Sequence, residues 1–181
     1  MGTIAVVVAA FWAMLPAYVP NNAAVLAGGG RPIDGGRTWR GRRLLGDGKT
    51  WRGATAGVVS GTALALVQDA LAAPFSGTID LVLPGFPVVA AVALPLGAVA
   101  GDVAASFLKR RLDRERGAVA PGLDQLDFAV GALAFAALAA PAWFGRVFSP
   151  PALLAVVVLT PLLHVGTNLV AYRAGLKGEP W

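Results

Sequence analysis

Gly101-Asp102-Val103-Ala104-Ala105-Ser106-Phe107-Leu108-Lys109-Arg110-Arg111, followed a few residues later by Leu123-Asp124-Gln125-Leu126-Asp127, decides how this chain is read. A long apolar run carries an aspartate in its interior, ends in a burst of cations, and re-enters apolar sequence beside two more carboxylates. One carboxylate inside a membrane helix costs about 2.5–3.5 kcal/mol on insertion scales, so such a residue is kept for a purpose. Three carboxylates next to the cations of Lys109, Arg110, Arg111, Arg114 and Arg116 point to a divalent cation and a polyphosphate at a membrane boundary.

Working outward, the 181 residues are 56% hydrophobic and only 14% charged, where a soluble domain carries about 25% charged residues. The deficit lies in five apolar blocks, at roughly 3–20, 53–73, 87–108, 125–144 and 150–172, each near the ~20 residues that span a bilayer. The pattern predicts an all-α polytopic membrane protein of about five transmembrane helices, 1–181 forming a single membrane-embedded domain. The first block lacks a basic leader and a small-residue cleavage site, and is expected to be a retained helix.

The net charge of +5 is not the footprint of nucleic-acid binding, because of where the cations lie. Seven of the fifteen fall in 21–52 (Arg31, Arg37, Arg40, Arg42, Arg43, Lys49, Arg52), five in 109–116, and two, Arg173 and Lys177, in the tail. Excess Lys and Arg marks cytoplasmic loops. The segments 21–52 and 109–124 are therefore expected in the cytoplasm, with the N-terminus outside and the C-terminus inside. The chain would be a multi-pass protein of the cell membrane whose chemistry faces the cytoplasm. No cysteine is present, so thiolate metal ligands are excluded.

Asp102, Ser106 and Lys109 follow at i, i+4 and i+7 and share one helical face. Asp124 and Asp127 open the fourth helix at i, i+3, where the positive helix end favours carboxylates; an acidic first turn is the plainer alternative, as an ion pair with arginine is for Asp102. Hard carboxylate oxygens suit Mg²⁺, which shares its coordination with water and phosphates. Asp47, Lys49, Thr50 and Arg52 follow a glycine-rich stretch just ahead of helix 2 and form a serviceable anion site, with a topology signal touching anionic lipid as the alternative. His164, Asn168 and Tyr172 form a polar stripe on the fifth helix, either packed against the bundle or functional. Gly57 and Gly61 allow close helix packing within the chain, with a homodimer as the other use.

Asp102-x-x-x-Ser106-x-x-Lys109-Arg110 and Pro121-Gly122-x-Asp124-x-x-Asp127 resemble the signature of membrane-bound CDP-diacylglycerol synthases, the phosphatidate cytidylyltransferases. Lys49-Thr50-Trp51-x-Gly53 is similar to a segment of that group's cytosolic loop. The short archaeal branch, the CDP-archaeol synthases, is closer, through Pro32-Ile33-Asp34, Leu45-Gly46-Asp47-Gly48-Lys49-Thr50-x-Arg52-Gly53 and the tail from Asn168 to Trp181. The stretch Pro121-Gly122-Leu123-Asp124-Gln125 lacks the His and Arg that flank the first aspartate in the longer enzymes, so roles of those groups do not carry over.

The resemblance implies a cytidylyltransferase that uses CTP to activate an isoprenoid ether-lipid phosphate, 2,3-bis-O-geranylgeranyl-glycerol 1-phosphate, with release of pyrophosphate. Asp102, Asp124 and Asp127 would hold Mg²⁺, with Lys109 beside them in catalysis. Asp47, Lys49, Thr50, Arg52, Ser106 and Arg110 would bind CTP. His164, Asn168 and Asn21 would meet the lipid phosphate or support the site. The rival reading is a small ion or solute carrier relaying ions through Asp102 and His164. A CDP-alcohol phosphotransferase is disfavoured, since its Asp-Gly-x-x-Ala-Arg motif is missing.

Overall fold

The computed structural model describes residues 2–112, 123–173 and 175, the side chains of Leu123, Asp124 and Ala171 excepted. Among the described residues six helices follow one another: α1 (Thr3–Ala27), α2 (Trp51–Ile79), α3 (Val88–Arg111), α4 (Leu123–Ala139), α5 (Pro141–Val147) and α6 (Pro150–Arg173). A two-residue hairpin, β1 (Thr38–Trp39) with β2 (Arg42–Arg43), lies between α1 and α2. Among the described residues four helices, α1, α2, α3 and α6, are long and apolar enough to cross a membrane, and α4 is a shorter apolar helix.

Three boundaries differ from the sequence expectation, the first being that α2 does not stop at residue 73 but continues through Pro74 to Ile79. α1 does not stop at residue 20 but runs through Pro20-Asn21-Asn22 to Ala27, so the first long loop begins at Gly28 rather than 21. Ala23, Ala24, Leu26 and Ala27 are good helix formers, and the chain turns only at the Gly28-Gly29-Gly30 triplet. The fourth apolar block is not one helix of 125–144. Pro141 disfavours helical geometry at Ala140, which sits at φ −137°, ψ 57°, and the chain breaks there into α4 and the seven-residue α5. At about 1.5 Å per residue the 17 residues of α4 reach roughly 26 Å, just short of a ~30 Å hydrocarbon core.

α1 lies at the centre of the bundle and packs on all five other helices. It carries Pro16 and Pro20 in its interior. A proline donates no N–H, so Pro16 leaves the carbonyl of Trp12 without its helical partner. Gln68, buried on α2, supplies one: its Nε2 donates to Trp12 O at 2.9 Å. On the same face of α2, Gly57 and Gly61 admit the proline turns. A Cβ at Gly61 would stand 2.5 Å from Pro16 O, and one at Gly57 2.9 Å from Pro20 O. The glycine pair is thus used within the chain, the first of the two uses expected of it.

The core is built of alanines: Ala13, Ala17, Ala65, Ala90, Ala98, Ala132 and Ala136 are all inaccessible. Small residues let helices approach closely where the hydrophobic effect cannot drive them together. The closest approach is between α3 and α4. A Cβ on Gly131 would lie 2.3 Å from Gly97 O, and one on Gly101 would lie 2.3 Å from Asp127 O. At one end, the Trp12 and Trp143 indoles donate to Pro84 O (3.0 Å) and Gly85 O (2.7 Å), and Phe86 N donates to Asp69 Oδ1 (2.7 Å). With Phe86 and Phe148 buried beside Trp143, that end is closed by aromatic packing. Loop 28–50 and the cationic end of α3 meet at the other.

Candidate functional site

Asp34 organises the loop between α1 and α2. Its side chain is almost wholly buried and accepts from the backbone N–H groups of Gly36 (3.0 Å), Leu45 (3.0 Å) and Gly46 (3.1 Å). The Arg43 guanidinium completes the set, through Nη2 at 2.8 Å and Nε at 3.3 Å. These donors, Arg43 foremost, hold the Asp34 carboxyl well below the usual carboxylate range. A depressed carboxyl stabilises the fold fully above its unfolded value near 4, and the contribution is lost as pH falls through the lower folded value. Arg43 Nη1 also binds Asp47 Oδ1 at 2.6 Å.

The loop returns beside its own start. Ile33 N donates to Lys49 O (2.8 Å) and Trp51 N to Arg31 O (3.1 Å), and Thr50 then caps α2 by accepting from Gly53 N at 3.1 Å. This pairing aims Lys49 at α3, where Nζ meets Asp102 Oδ2 at 2.5 Å. The hairpin is strapped to the same helix: Arg111 donates to Trp39 O (2.9 Å) and Arg43 O (2.9 Å), and Trp39 stacks on Phe107 with centroids 6.2 Å apart. Arg40 and Gly41, both at positive φ, make the tight turn such a hairpin favours.

Beneath the loop is a cavity of about 590 Å³, within the ~300–1,000 Å³ usual for small-ligand sites. It gathers Asn21 from α1, Asp47, Lys49 and Thr50 from the loop, Asp102 and Lys109 from α3, Asp127 from α4 and His164 from α6. The contact of Gly101 with the Asp127 carbonyl explains why two aspartates 25 positions apart share this wall: the backbones touch one residue away from Asp102.

Other expected residues are placed differently. Arg52 turns to the end of α1, its Nε donating to Ala27 O at 2.6 Å and its Nη2 to Gly28 O, so it caps a helix instead of lining the cavity. Ser106, Arg110 and Asn168 do not line it either; Arg110 lies against Gly46. Asp124 begins the first turn of α4, but its side chain lies outside the described residues, as do Pro121 and Gly122. The expected trio of carboxylates is therefore seen as a pair. Among the described residues no three His, Asp or Glu side chains form a ready metal cage.

Asp34, Arg43 and Arg111 were not among the expected site residues. The signal for Asp34 was present: one carboxylate in a loop of glycines and arginines needs its cation and amides nearby. If Asp34 shapes the loop that delivers Lys49, then Asp34→Asn presents an amide to backbone donors. It should raise the KM for the phosphate-bearing ligand of this cavity by ~10-fold, about 1.4 kcal/mol of binding, and quicken hydrogen exchange across 33–50. Unchanged exchange in that loop would refute the role.

Fold and cavity together define a polytopic helical membrane protein with a polyphosphate-sized, mixed-charge site at one end of its bundle. Comparison with known proteins narrows this. Residues 3–181 match the family described as CarS-like, CDP-archaeol synthase. The CDP-archaeol synthase of Haloarcula marismortui is 62% identical over 181 residues, covering 100% of both chains. That of Halorubrum lacusprofundi is 61% identical over 175 residues, 97% of each. A solved structure described as an intramembrane enzyme for archaeal membrane lipids biosynthesis superposes with a TM-score of 0.68 at 44% identity, over 88% of this chain and 92% of that one. The chain belongs to the CDP-archaeol synthase family.

Proposed function

We propose that this chain transfers the cytidylyl group of CTP to an archaeal ether-lipid phosphate, 2,3-bis-O-geranylgeranyl-glycerol 1-phosphate, giving the CDP-activated lipid and pyrophosphate for membrane phospholipid synthesis. The observation that carries this reading is the single cavity joining Asp102 and Asp127 to Lys49 and Lys109, in a chain of the CDP-archaeol synthase family.

A phosphate monoester has its second pKa near 6 and is largely dianionic at neutral pH. Its oxygen attacks the α-phosphorus of CTP, the bond to the bridging oxygen breaks, and pyrophosphate leaves with that electron pair. No covalent enzyme nucleophile or strong base is needed. What remains for the protein is alignment and charge neutralisation. Lys49 and Lys109 face the cavity as cations for the triphosphate and the departing pyrophosphate, and the Thr50 hydroxyl keeps its own proton to donate.

The donor set fits Mg²⁺. Asp102 and Asp127 offer hard oxygens on one wall, and an ion that prefers one or two carboxylates plus substrate phosphates needs no larger cage. Asp124, one turn before Asp127, is the natural third ligand. When bound, such an ion would neutralise phosphate charge and draw the reacting groups into line.

The distribution of Lys and Arg orients the protein with its N-terminus outside and its C-terminus in the cytoplasm. Loop 28–50 and the α3–α4 connection would then face the cytoplasm, with 1–181 acting as a single domain of the cell membrane. The carrier reading needs a polar route across the bundle; the aromatic closure around Trp12, Trp143 and Phe86 argues against one.

The test is direct. Purified protein is given Mg²⁺, an ether-lipid phosphate and each of four nucleoside triphosphates in turn. Pyrophosphate should appear only with CTP and only with the lipid, and EDTA should abolish its release. Comparable turnover of all four nucleotides would refute the nucleotide assignment, and full activity in EDTA would refute the metal.

A further inference from the structure

The loop between α1 and α2 wraps around the C-terminal end of α3. At ~100° per residue, Asp102 and Lys109 stand within about 20° of each other around that helix, with Arg110 about 80°, Phe107 about 140° and Arg111 about 180° from Asp102. The loop meets α3 at each of these bearings. Lys49 reaches Asp102 at 2.5 Å, Gly46 lies against Arg110, and the hairpin rests on Phe107 and Arg111. It therefore spans half the circumference of the helix, from the face that lines the cavity to the face behind it.

Arg111 is the anchor on that far face. Its guanidinium donates to Trp39 O and Arg43 O, both at 2.9 Å, and lies 5.1 Å from the Trp39 ring and 5.4 Å from that of Phe107. A planar fork that stacks on aromatic faces can hold two carbonyls and two rings at once, which a point-like ammonium does not. The grip passes on through Arg43, whose carbonyl Arg111 holds and whose side chain binds Asp34 and Asp47. Among the described residues Asp47 and Lys49 line the cavity, and Arg111 does not.

We propose that Arg111 is a positioning residue for the nucleotide: by gripping the hairpin behind α3 it sets where Asp47 and Lys49 stand in front. The proposal rests on the cytidylyltransferase reading above and adds a residue that acts on CTP without touching it. The run Lys109-Arg110-Arg111, a single charge cluster in the sequence, is thereby divided among a cavity wall, a contact with Gly46 and the hold on the hairpin.

The experiment combines steady-state kinetics, CTP varied at saturating lipid phosphate, with hydrogen exchange. Arg111→Gln should raise the KM for CTP tenfold or more and quicken exchange across 36–48, leaving α1 and α2 as in the parent. Arg111→Lys should still raise that KM at least threefold, because the fork rather than the charge does the holding. Trp39→Leu removes a half-exposed ring from the other side of the grip. It should shift KM and exchange in the same direction by less, and it carries the test if the arginine variant fails to fold. A merely structural arginine would lower the fraction of active protein, which reduces Vmax and leaves KM alone.

A KM for CTP within twofold of the parent in both Arg111→Gln and Trp39→Leu would overturn the proposal. So would a raised KM with parental exchange across 36–48, which would make Arg111 a direct phosphate contact. A parent protein that turns over no CTP would instead refute the cytidylyltransferase reading, while the exchange comparison would still report on the grip.

Discussion

Asp127→Asn is expected to insert, fold and purify like the parent, and to release pyrophosphate from CTP about 10²–10³-fold more slowly, the loss typical of removing one preorganised electrostatic group from an active site. The substitution keeps shape and keeps an acceptor oxygen for the Phe128 N–H that Asp127 Oδ1 binds at 2.6 Å. What it removes is a negative charge on the wall shared with Asp102 and Lys49. A structural carboxylate would behave in the opposite way. Taking a charge out of a membrane helix relieves about 2.5–3.5 kcal/mol of insertion cost, so the variant would be no less stable and fully active. Pyrophosphate release and thermal unfolding in detergent, measured together, separate the two, and near-parental turnover would remove Asp127 from the catalytic set.

Gly131→Val should fail at an earlier stage. The first atom added to Gly131 would already lie 2.3 Å from Gly97 O and 2.8 Å from Gly101 Cα, all backbone. Overpacking a core usually costs about 1–3 kcal/mol when side chains can give way. Here two helix axes must separate, so about 3 kcal/mol or more is expected against a total stability of ~5–15 kcal/mol. The variant should aggregate or unfold well below the parent temperature in detergent. Gly145→Val, at a glycine with open space around it, should not. A monodisperse, active Gly131→Val protein would show that the α3–α4 crossing is looser than described.

Much of this architecture was legible because membrane insertion leaves a coarse signature. Apolar blocks bounded by Arg and Lys showed where α2, α3 and α6 run. The break at Ala140 and the extension of α1 were not legible by length or hydropathy, since Pro20 and Pro141 look alike in a string of letters. One is accommodated within α1, where α2 presents glycines to its turns, and the other starts a helix. The choice is made by tertiary packing, which overrides local propensity.

The site was legible to the same degree. Lys49, Asp102, Lys109, Asp127, Asn21 and His164 share a cavity because their residue types at those places make sense only together. Arg52 shows the limit. A cation at the start of α2 is equally suited to a phosphate and to the open carbonyls ending α1, and only the fold shows that Gly28 ends α1 beside it. Arg43 and Arg111 were hidden for the reverse reason. In a run of arginines nothing in the sequence distinguishes the one that grips Asp34 or the hairpin carbonyls from its solvated neighbours.

The bond from Gln68 to the proline-freed carbonyl of Trp12 has a mechanical consequence. Together with Pro16 and Pro20 resting on Gly61 and Gly57, it pins α1 and α2 against longitudinal shear. Both roots of the loop that roofs the cavity, at Ala27 and at Thr50, thus belong to helices locked against each other. The loop that carries Asp47 and Lys49 to the cavity therefore hangs from two points whose separation is set by helix packing alone.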